Sequence, residues 1–406
     1  MRPLSLQFLI FVVTLSLLTN CKDKGFLETH WDHPLQVQNE INQNPSQSIQ
    51  NFDPKECGTC HSNQWNKWKN SFHAKSIGNG FLWQKEILSR KEWDNCLNCH
   101  SPLPETKAIL SETYQTREVL VSQKNHFPNG INNPSIQCAS CHIRKDMVYG
   151  PPSRYGSLRN QDQYLNSLPH NGFKVQNEFT TSEFCKSCHE SPSSGVSING
   201  KRLMETYMEW GNSSFAKQGI QCQNCHMPDR EHSWKGIHDE DFVRKAIETD
   251  WKIERTKSGE LYVRAEFKSI AIGHKFPTYL IPKVYLRFYG IDVNGKRILM
   301  EESIIGRLLN TQLTEEYYDT RIEPKASHLV EFSYPIRNRN IQKVLWEIEV
   351  DPDEHYVRSF EESQNAKGSL LSQSTKEQIK LSLSEKKESR YTLFTLSLPV
   401  PVSLPQ

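Results

Sequence analysis

The chain has 406 residues, 36% of them hydrophobic, and a mean hydropathy of −0.67. That length allows two domains, but the apolar content is low for a globular protein of this size. Its 49 Lys and Arg residues nearly balance 47 Asp and Glu residues, giving a formal net charge of +2. No basic surface is indicated, so we expect no nucleic-acid partner.

The N-terminus resembles a secretory signal. Met1-Arg2-Pro3 precedes an apolar run from Leu4 to Leu18 that is too short for a membrane span. The following Thr19-Asn20-Cys21 is similar to a bacterial lipobox, although Asn20 replaces the usual small residue. We therefore predict that residues 1–20 are a lipoprotein-type signal peptide and that Cys21 is acylated. An ordinary signal that leaves a spare thiol is the alternative.

Residues 21–52 are polar and lack a sustained hydrophobic period. They predict a tether between the lipid and the fold. His30 and His33 lie in this segment and are not assigned as ligands.

Five copies of the pentapeptide C-x-x-C-H lie between residues 57 and 226. This pattern attaches c-type haem: two thiols form thioethers with the porphyrin, and the adjacent His ligates the iron. Five copies predict five covalently attached haem c groups. The motif residues are Cys57, Cys60 and His61; Cys96, Cys99 and His100; Cys138, Cys141 and His142; Cys185, Cys188 and His189; Cys222, Cys225 and His226.

Zinc and disulfides are the competing uses of these cysteines. A zinc site built from C-x-x-C needs two pairs per ion, so five pairs leave one unmatched, and zinc does not explain the constant His. Ten of the eleven cysteines lie in the motifs, which leaves no separate set for a disulfide framework. Covalent haem attachment occurs outside the bacterial cytoplasm, so the motifs also predict export to the periplasmic side of a membrane.

The region from 53 to 245 is predicted to fold as short helices and loops over the haem faces, with further histidines as sixth iron ligands. His73 follows a helical stripe that contains Trp65 and Trp68. The remaining candidates are loop residues. His126 is either a ligand or a solvated histidine, His170 occupies the long third interval, and a loop after the last motif offers two ligands for different haems, His232 and His238.

From residue 246 to 406 the pattern changes to period-two alternation, as in Leu261, Val263, Ala265 and Phe267. Asn294-Gly295 predicts a hairpin turn. These short strands predict an antiparallel β-sandwich-like domain. Residues 361–390, rich in Ser, Lys, Glu and Gln, are expected to be a solvated insertion or disordered loop. The chain is thus predicted to be an α + β multidomain protein.

Several segments resemble the multihaem c-type cytochromes of the class that includes the tetrahaem electron acceptor of hydroxylamine oxidoreductase, in particular a pentahaem bacterial branch with a C-terminal β domain. They are Trp68-x-x-Ser71-x-His73, Gln137-Cys138-Ala139-Ser140-Cys141-His142, Ser182-Glu183-Phe184-Cys185, Thr206-Tyr207-x-Glu209-Trp210, Cys222-Gln223-x-Cys225-His226-Met227-Pro228, Gly236-Ile237-His238-Asp239 and Gly273-His274-x-Phe276-Pro277-Thr278. The resemblance spans about residues 53 to 350. It implies electron transfer through bis-His haems, with His73, His232, His238 and His274 as distal ligands.

We therefore expect an electron carrier. The alternative is a multihaem reductase that acts on a small nitrogen or sulfur oxyanion at one open haem. Pentahaem nitrite reductases mark that haem with a proximal Lys, whereas all five motifs here end in His, and six candidate distal histidines are available. Expected partners are redox proteins, including quinol-linked membrane components, and the membrane itself through the lipid anchor.

Overall fold

The computed structural model describes residues 25–32, 35, 53–116, 134–145, 147–153, 174–336 and 340–401. In this part of the chain an α-helical region precedes an antiparallel β region, so the predicted α + β multidomain class is confirmed. No helix among these residues is long and apolar enough to cross a membrane. The signal peptide, Cys21, His33, His126 and His170 lie outside the described residues.

The first region consists of short helices with very small strands between them. The helices are α1 Phe26–His30, α2 Pro54–Gly58, α3 Ser62–Trp68, α4 Asn79–Leu82, α5 Arg90–His100, α6 Pro104–Thr116, α7 Cys138–His142, α8 Glu183–His189, α9 Thr206–Gly211, α10 Ser214–Lys217, α11 Cys222–His226 and α12 Glu240–Arg244. The strands are β1 Ile143–Arg144, β2 Met147–Gly150, β3 Lys174–Val175, β4 Ser197–Ile198 and β5 Lys201–Arg202. Buried hydrophobic clusters here are small, such as Trp93, Leu97 and Leu110.

Local capping explains why motif residues sit on these helices. Asp53 accepts the Lys55 backbone N–H at the start of α2, and Ser89 forms a capping box with Glu92 at the start of α5. At α7 the Gln137 N–H donates to the Ser140 hydroxyl, which lies inside the C-x-x-C segment. At α11 the Gln221 N–H donates to Asn224 in the same way. The residue before the second Cys therefore helps to begin the motif helix.

The second region is a sandwich of two antiparallel sheets. One has the strand order β12-β7-β6 and the other β14-β13-β8-β9, and a separate ribbon joins β10 to β11. The bounds are β6 Ile247–Arg255, β7 Leu261–Ser269, β8 Lys283–Asp292, β9 Arg297–Ile305, β10 Arg307–Leu309, β11 Glu316–Asp319, β12 Ser327–Tyr334, β13 Ile341–Asp351 and β14 Tyr391–Pro399.

The predicted alternation fills the core between these sheets. Leu261, Val263, Ala265 and Phe267 on β7 are at most 1% exposed, and the last three share one cluster with residues of β13 such as Trp346. Gly295, with φ of +79°, forms the predicted β8–β9 hairpin turn with Asn294. The sandwich has a continuous apolar core of its own.

The expectation of a solvated or disordered segment at 361–390 was wrong. The chain forms helices α13 Glu354–Lys367 and α14 Gln373–Glu388 there. Their buried face, which includes Phe360, Ile379 and Leu383, packs on Trp83 of the first region. The many polar residues of segment 361–390 occupy the outer face of this amphipathic helical pair. Composition alone does not distinguish such a pair from a loop.

Part of the predicted tether is also folded. Helix α1 places His30 at 2% exposure, with its Nε2 2.9 Å from the carbonyl oxygen of Cys141. The Arg144 guanidinium donates to the His30 carbonyl oxygen and lies 5.0 Å from the centre of the Trp31 ring. This segment therefore packs against the third motif instead of hanging free.

Candidate functional site

Each motif histidine lies at or just beyond the end of a short helix, and several of these rings are fixed through Nδ1. The Nδ1 atom is 3.2 Å from the Ser76 carbonyl oxygen in His100, 2.9 Å from that of Tyr149 in His142, and 2.7 Å from that of Lys235 in His226. Because a carbonyl only accepts, Nδ1 carries the proton. This tautomer leaves the Nε2 lone pair available to a metal.

Two of the predicted distal histidines are held in the same way. His232 Nδ1 is 2.9 Å from the Arg230 carbonyl oxygen, and His274 Nδ1 is 2.8 Å from that of Lys275. These contacts are the usual support for a histidine that ligates a metal through its other nitrogen.

Three predicted distal histidines face three motif histidines at nearly one separation. Ring centroids are 6.2 Å apart for His73 and His189, 6.3 Å for His142 and His232, and 6.3 Å for His226 and His274. The two partners of each pair come from distant parts of the sequence, so the fold brings them together. We call these the three imidazole pairs.

This separation is what a shared metal ion requires. A metal–nitrogen bond is about 2 Å long and the nitrogen lies about 1 Å from the ring centre, so trans imidazoles on one ion have centroids about 6 Å apart. Stacked rings in direct contact would be closer. Together with two thiols per motif, the donor set fits haem c with iron bound between two imidazoles.

Burial keeps these imidazoles neutral, as ligation demands. It lowers the pKa of His73 to about 3, with the charges of His189, His232 and His100 acting in the same direction. Partial burial likewise lowers the pKa of His142 and His274 to about 4. At neutral pH these side chains are therefore unprotonated at the ligating nitrogen.

Aromatic side chains contact the histidine rings of the imidazole pairs. Trp234 lies edge-on to His73 at 4.5 Å and to His232 at 5.0 Å between ring centroids, so it contacts the distal members of two imidazole pairs. Phe179 stacks on His142 at 5.1 Å. Neither aromatic residue was predicted from the sequence to contact a ligand, although Trp234 lies only two residues after His232.

Thiols of different motifs lie near each other. Three pairs are close enough to shift each other's pKa: Cys57 of the first motif with Cys138 of the third, Cys99 of the second with Cys188 of the fourth, and Cys185 of the fourth with Cys222 of the fifth. Because haem c attaches to the protein through these sulfurs, haems on two motifs whose thiols are neighbours would be attached close to each other. None of the ten described cysteines forms a disulfide.

The second motif differs from the three paired ones. Within the described residues the ring contact of His100 is with Phe81, stacked at 4.8 Å, and no histidine is paired with it. His61 of the first motif lies close enough to His142 and His232 to lower their pKa values, after the larger effect of burial.

His238, which the resemblance implies to be a distal ligand, has another partner. Its Nε2 is 3.0 Å from Oδ2 of Asp353, a residue 5% exposed that also contacts Lys386 Nζ at 2.9 Å. Phe72 packs on the His238 ring at 4.3 Å. Among the described residues no motif histidine faces it at the spacing of the imidazole pairs. Its assignment as a ligand stays a prediction.

The His274 loop is attached to the first region through Glu209, a residue of α9 that is 6% exposed. The carboxylate accepts the Lys275 backbone N–H at 3.2 Å and the Thr278 hydroxyl at 2.8 Å. It also pairs with Arg321 at 2.9 Å. These contacts join the loop that carries His274 to the first region.

His30, left unassigned from the sequence, lies in a box of aromatic rings at 4.7 to 6.0 Å between centroids: Phe26, Trp31, Tyr149, Phe179 and Phe184. Burial, followed by the Arg144 charge, lowers its pKa to about 3. In the described part of the chain, no group of three or more His, Cys, Asp and Glu side chains converges as an all-protein metal site.

Comparison with solved structures identifies the class of fold. The chain has the fold of a multihaem cytochrome c. The matching structure is a penta-haem cytochrome c552 from Thermochromatium tepidum, with a TM-score of 0.61 and 17% identity, over 87% of this chain and 100% of that one. No family model matches the sequence, and no curated protein matches it.

Proposed function

We propose that this chain is an exported pentahaem c-type cytochrome that transfers electrons between redox partners. The observation that carries the proposal is the set of three imidazole pairs at 6.2 to 6.3 Å, each formed by a motif histidine and a distant histidine. An iron with two protein imidazoles has no free position for a substrate, so this geometry favours electron transfer over bond chemistry. Each haem, when attached, supplies one reversible Fe(III)/Fe(II) couple.

The residues of this chain determine the spacing of the haem sites and the surroundings that tune their reduction potentials. Interacting thiols link the first motif to the third, and the second motif to the fourth and through it to the fifth. Trp234 contacts both His232, the partner of His142, and His73, the partner of His189, so it brings these two groups of motifs together. This arrangement supports a relay through all five motifs. Backbone carbonyls at Nδ1 orient the ligands, and aromatic rings such as Phe179 cover part of the ligand surface, which together tune the potential.

We further propose that the mature chain starts at an acylated Cys21 and is held on the periplasmic side of a bacterial membrane. The apolar run before Cys21 and the need to attach haem outside the cytoplasm support this. A Cys21→Ala variant should move from the membrane fraction to the soluble periplasmic fraction without losing haem. A variant that stays in the membrane fraction would overturn the lipid anchor.

The carrier function is tested on the mature holoprotein. Pyridine haemochrome assay and intact mass should give five covalent haems per chain, and a spectroelectrochemical titration should show five electrons taken up reversibly. Fewer haems, or a haem that titrates only in the presence of a small-molecule substrate, would contradict the proposal.

A second candidate function is reduction of a small nitrogen or sulfur oxyanion at the second motif. Two observations favour it over other enzymatic alternatives. Within the described residues His100 has no imidazole opposite it, and the His238–Asp353 pair is a hydrogen-bonded imidazole–carboxylate of the kind that moves protons. Lys386, which donates to Asp353, lies against Gly80, and the next residue, Phe81, stacks on His100, so the pair is near the second motif.

Turnover separates the two functions. For a reductase, the wild-type protein with a reduced viologen should consume nitrite or hydroxylamine, and His238→Asn or Asp353→Asn should lower the rate at least about tenfold with haem content intact. For a carrier, no oxyanion should be consumed at a rate above that of free haem. His328→Asn, in the sandwich and hydrogen-bonded to Ser303, is the matched control.

A further inference from the structure

We infer that Glu209 is the positioning residue for the sixth ligand of the fifth haem site, and that it keeps this iron closed to exogenous ligands. The inference rests on the proposed function, because it concerns the His226–His274 pair. His274 lies on a loop of the β region, whereas His226 belongs to the first region. The distance between the two rings therefore depends on contacts that hold this loop against the first region.

The Glu209 carboxylate contacts the loop at two positions that follow His274. It accepts the backbone N–H of Lys275, whose carbonyl in turn accepts the His274 Nδ1 proton at 2.8 Å. It also accepts the Thr278 hydroxyl at 2.8 Å. One buried side chain therefore determines the position of the residue next to the ligand and of the loop's far end.

The carboxylate is itself held rigidly. Its other oxygen receives Arg321 Nη1 at 2.9 Å, and both side chains are 2% exposed. Arg321 makes a two-pronged pair with Asp319 at 2.8 and 2.9 Å and also donates to the Thr278 carbonyl at 2.8 Å. Bidentate guanidinium–carboxylate contacts fix direction as well as distance. The anchor is thus continuous from α9 through the loop to β11.

Other packing around the loop constrains its backbone but not the ligand. Phe276 exchanges backbone hydrogen bonds with Ile322 at 2.8 and 2.9 Å, which ties the loop to its own region. Gly273 lies against Phe215, where an added Cβ would be 3.4 Å from the Phe215 Cβ. Among the described residues, Thr206 and Glu209 of the first region bond to the loop through their side chains, and of these two Glu209 contacts the residue adjacent to His274.

Carbon monoxide is the test ligand, because it binds reduced haem only where the sixth position is open. In Glu209→Ala the loop loses both hydrogen bonds, so about one haem in five of the reduced holoprotein should become CO-reactive, with a matching high-spin signal when oxidised. Glu209→Gln keeps acceptors for Lys275 and Thr278 and should remain mostly closed. This rescue distinguishes loop positioning from the charge pair with Arg321.

Two controls make each outcome decisive. Glu205→Ala removes a neighbouring glutamate, 8% exposed, that bonds to Arg202 instead of the loop, and should leave the CO reactivity the same as in the wild-type protein. His274→Ala removes the ligand and should open one haem. If His274→Ala opens a haem and Glu209→Ala does not, the positioning role is wrong and the ligation stands. If His274→Ala opens none, the ligation itself fails.

Misfolding gives a different result. A general loss of structure would lower the haem content and make several haems CO-reactive, whereas loss of positioning affects one haem and leaves the other low-spin signals unchanged. Glu209→Ala with five covalent haems, one of them CO-reactive, is the expected result. Opening of several haems in Glu209→Ala would overturn the specific role.

Discussion

The two regions of this chain obtain their cores in opposite ways. The sandwich buries a continuous apolar cluster between its sheets, including Val263, Phe267 and Trp346, each fully buried. The helical region has small clusters such as Trp93 with Leu97 and Leu110, and its paired histidines and motif cysteines remain at least partly exposed. The polypeptide of the first region is thus arranged around groups that it must acquire, whereas the sandwich is complete by itself.

The largest expected effect follows from leaving the haems out. In a full-length chain with the ten motif cysteines changed to alanine, the helical region should lose its packing and the sandwich should keep its own. Limited proteolysis with mass spectrometry should cleave rapidly between residues 53 and 245 and slowly in β6 to β13. Equal protection of both regions would show that the first region does not depend on its cofactors.

Damage to the sandwich core should leave the haem sites intact in the native state. Trp346 is 0% exposed and packs on Phe288 and Trp251 at 5.4 and 5.8 Å between ring centroids. Trp346→Ala should lower the free energy of unfolding by about 3 to 5 kcal/mol. Denaturant titration measures this change, with Leu299→Ala at a 53% exposed site as the control. A native-state change in the haem spectrum would contradict the separation of the two cores.

The C-terminal helical pair joins the regions, and its contribution can be measured separately. Ile379 is 0% exposed beside Trp83, whereas Leu370 in the turn is 83% exposed. Ile379→Ala should cost about 2 to 4 kcal/mol and speed amide exchange in α13 and α14. Leu370→Ala should change neither quantity noticeably. Identical exchange in both variants would mean that the pair does not dock on the first region.

A smaller effect concerns pH and belongs to the sandwich alone. Burial lowers the pKa of Lys283 to about 8, against the opposing charge of Glu354 at 3.3 Å. The unfolded chain has a lysine pKa of about 10.4, so from pH 8 upward the unfolded state binds more protons and the free energy of unfolding rises. The gain should be on the order of 1 to 3 kcal/mol.

Lys283→Met removes this titration. Urea unfolding at pH 8 and pH 10 should show a rise for the wild-type protein that is absent or much reduced in the variant. Equal slopes would assign the rise to other groups.

The sequence predicts the structure of the sandwich better than that of the helical region, and the reason is physical. In the sandwich, alternation such as Leu261 to Phe267 sets which face is buried, so strands and core followed from the sequence. In the helical region the C-x-x-C-H pattern identifies the motifs, but the partner of each histidine depends on tertiary contacts between distant segments. The pairing of His73 with His189 instead of the nearer His61 could not be deduced from spacing.

Hydrogen bonds between residues that are distant in the sequence were the hardest features to predict from it. Asp353 is far in sequence from His238, and Glu209 far from Lys275, so nothing local indicates either hydrogen bond. The helices at 354–388 were missed because their apolar face is narrow and their composition resembles that of a loop.

The central claim is that three imidazole pairs each hold one iron, and low-temperature EPR of the oxidised holoprotein tests it most directly. Three single variants, His73→Ala, His232→Ala and His274→Ala, should each convert about one haem in five from low spin to high spin. His328→Ala, with its partner in the sandwich, should convert none. If the three variants keep the wild-type low-spin signals, the imidazole pairs do not bind iron and the account is wrong.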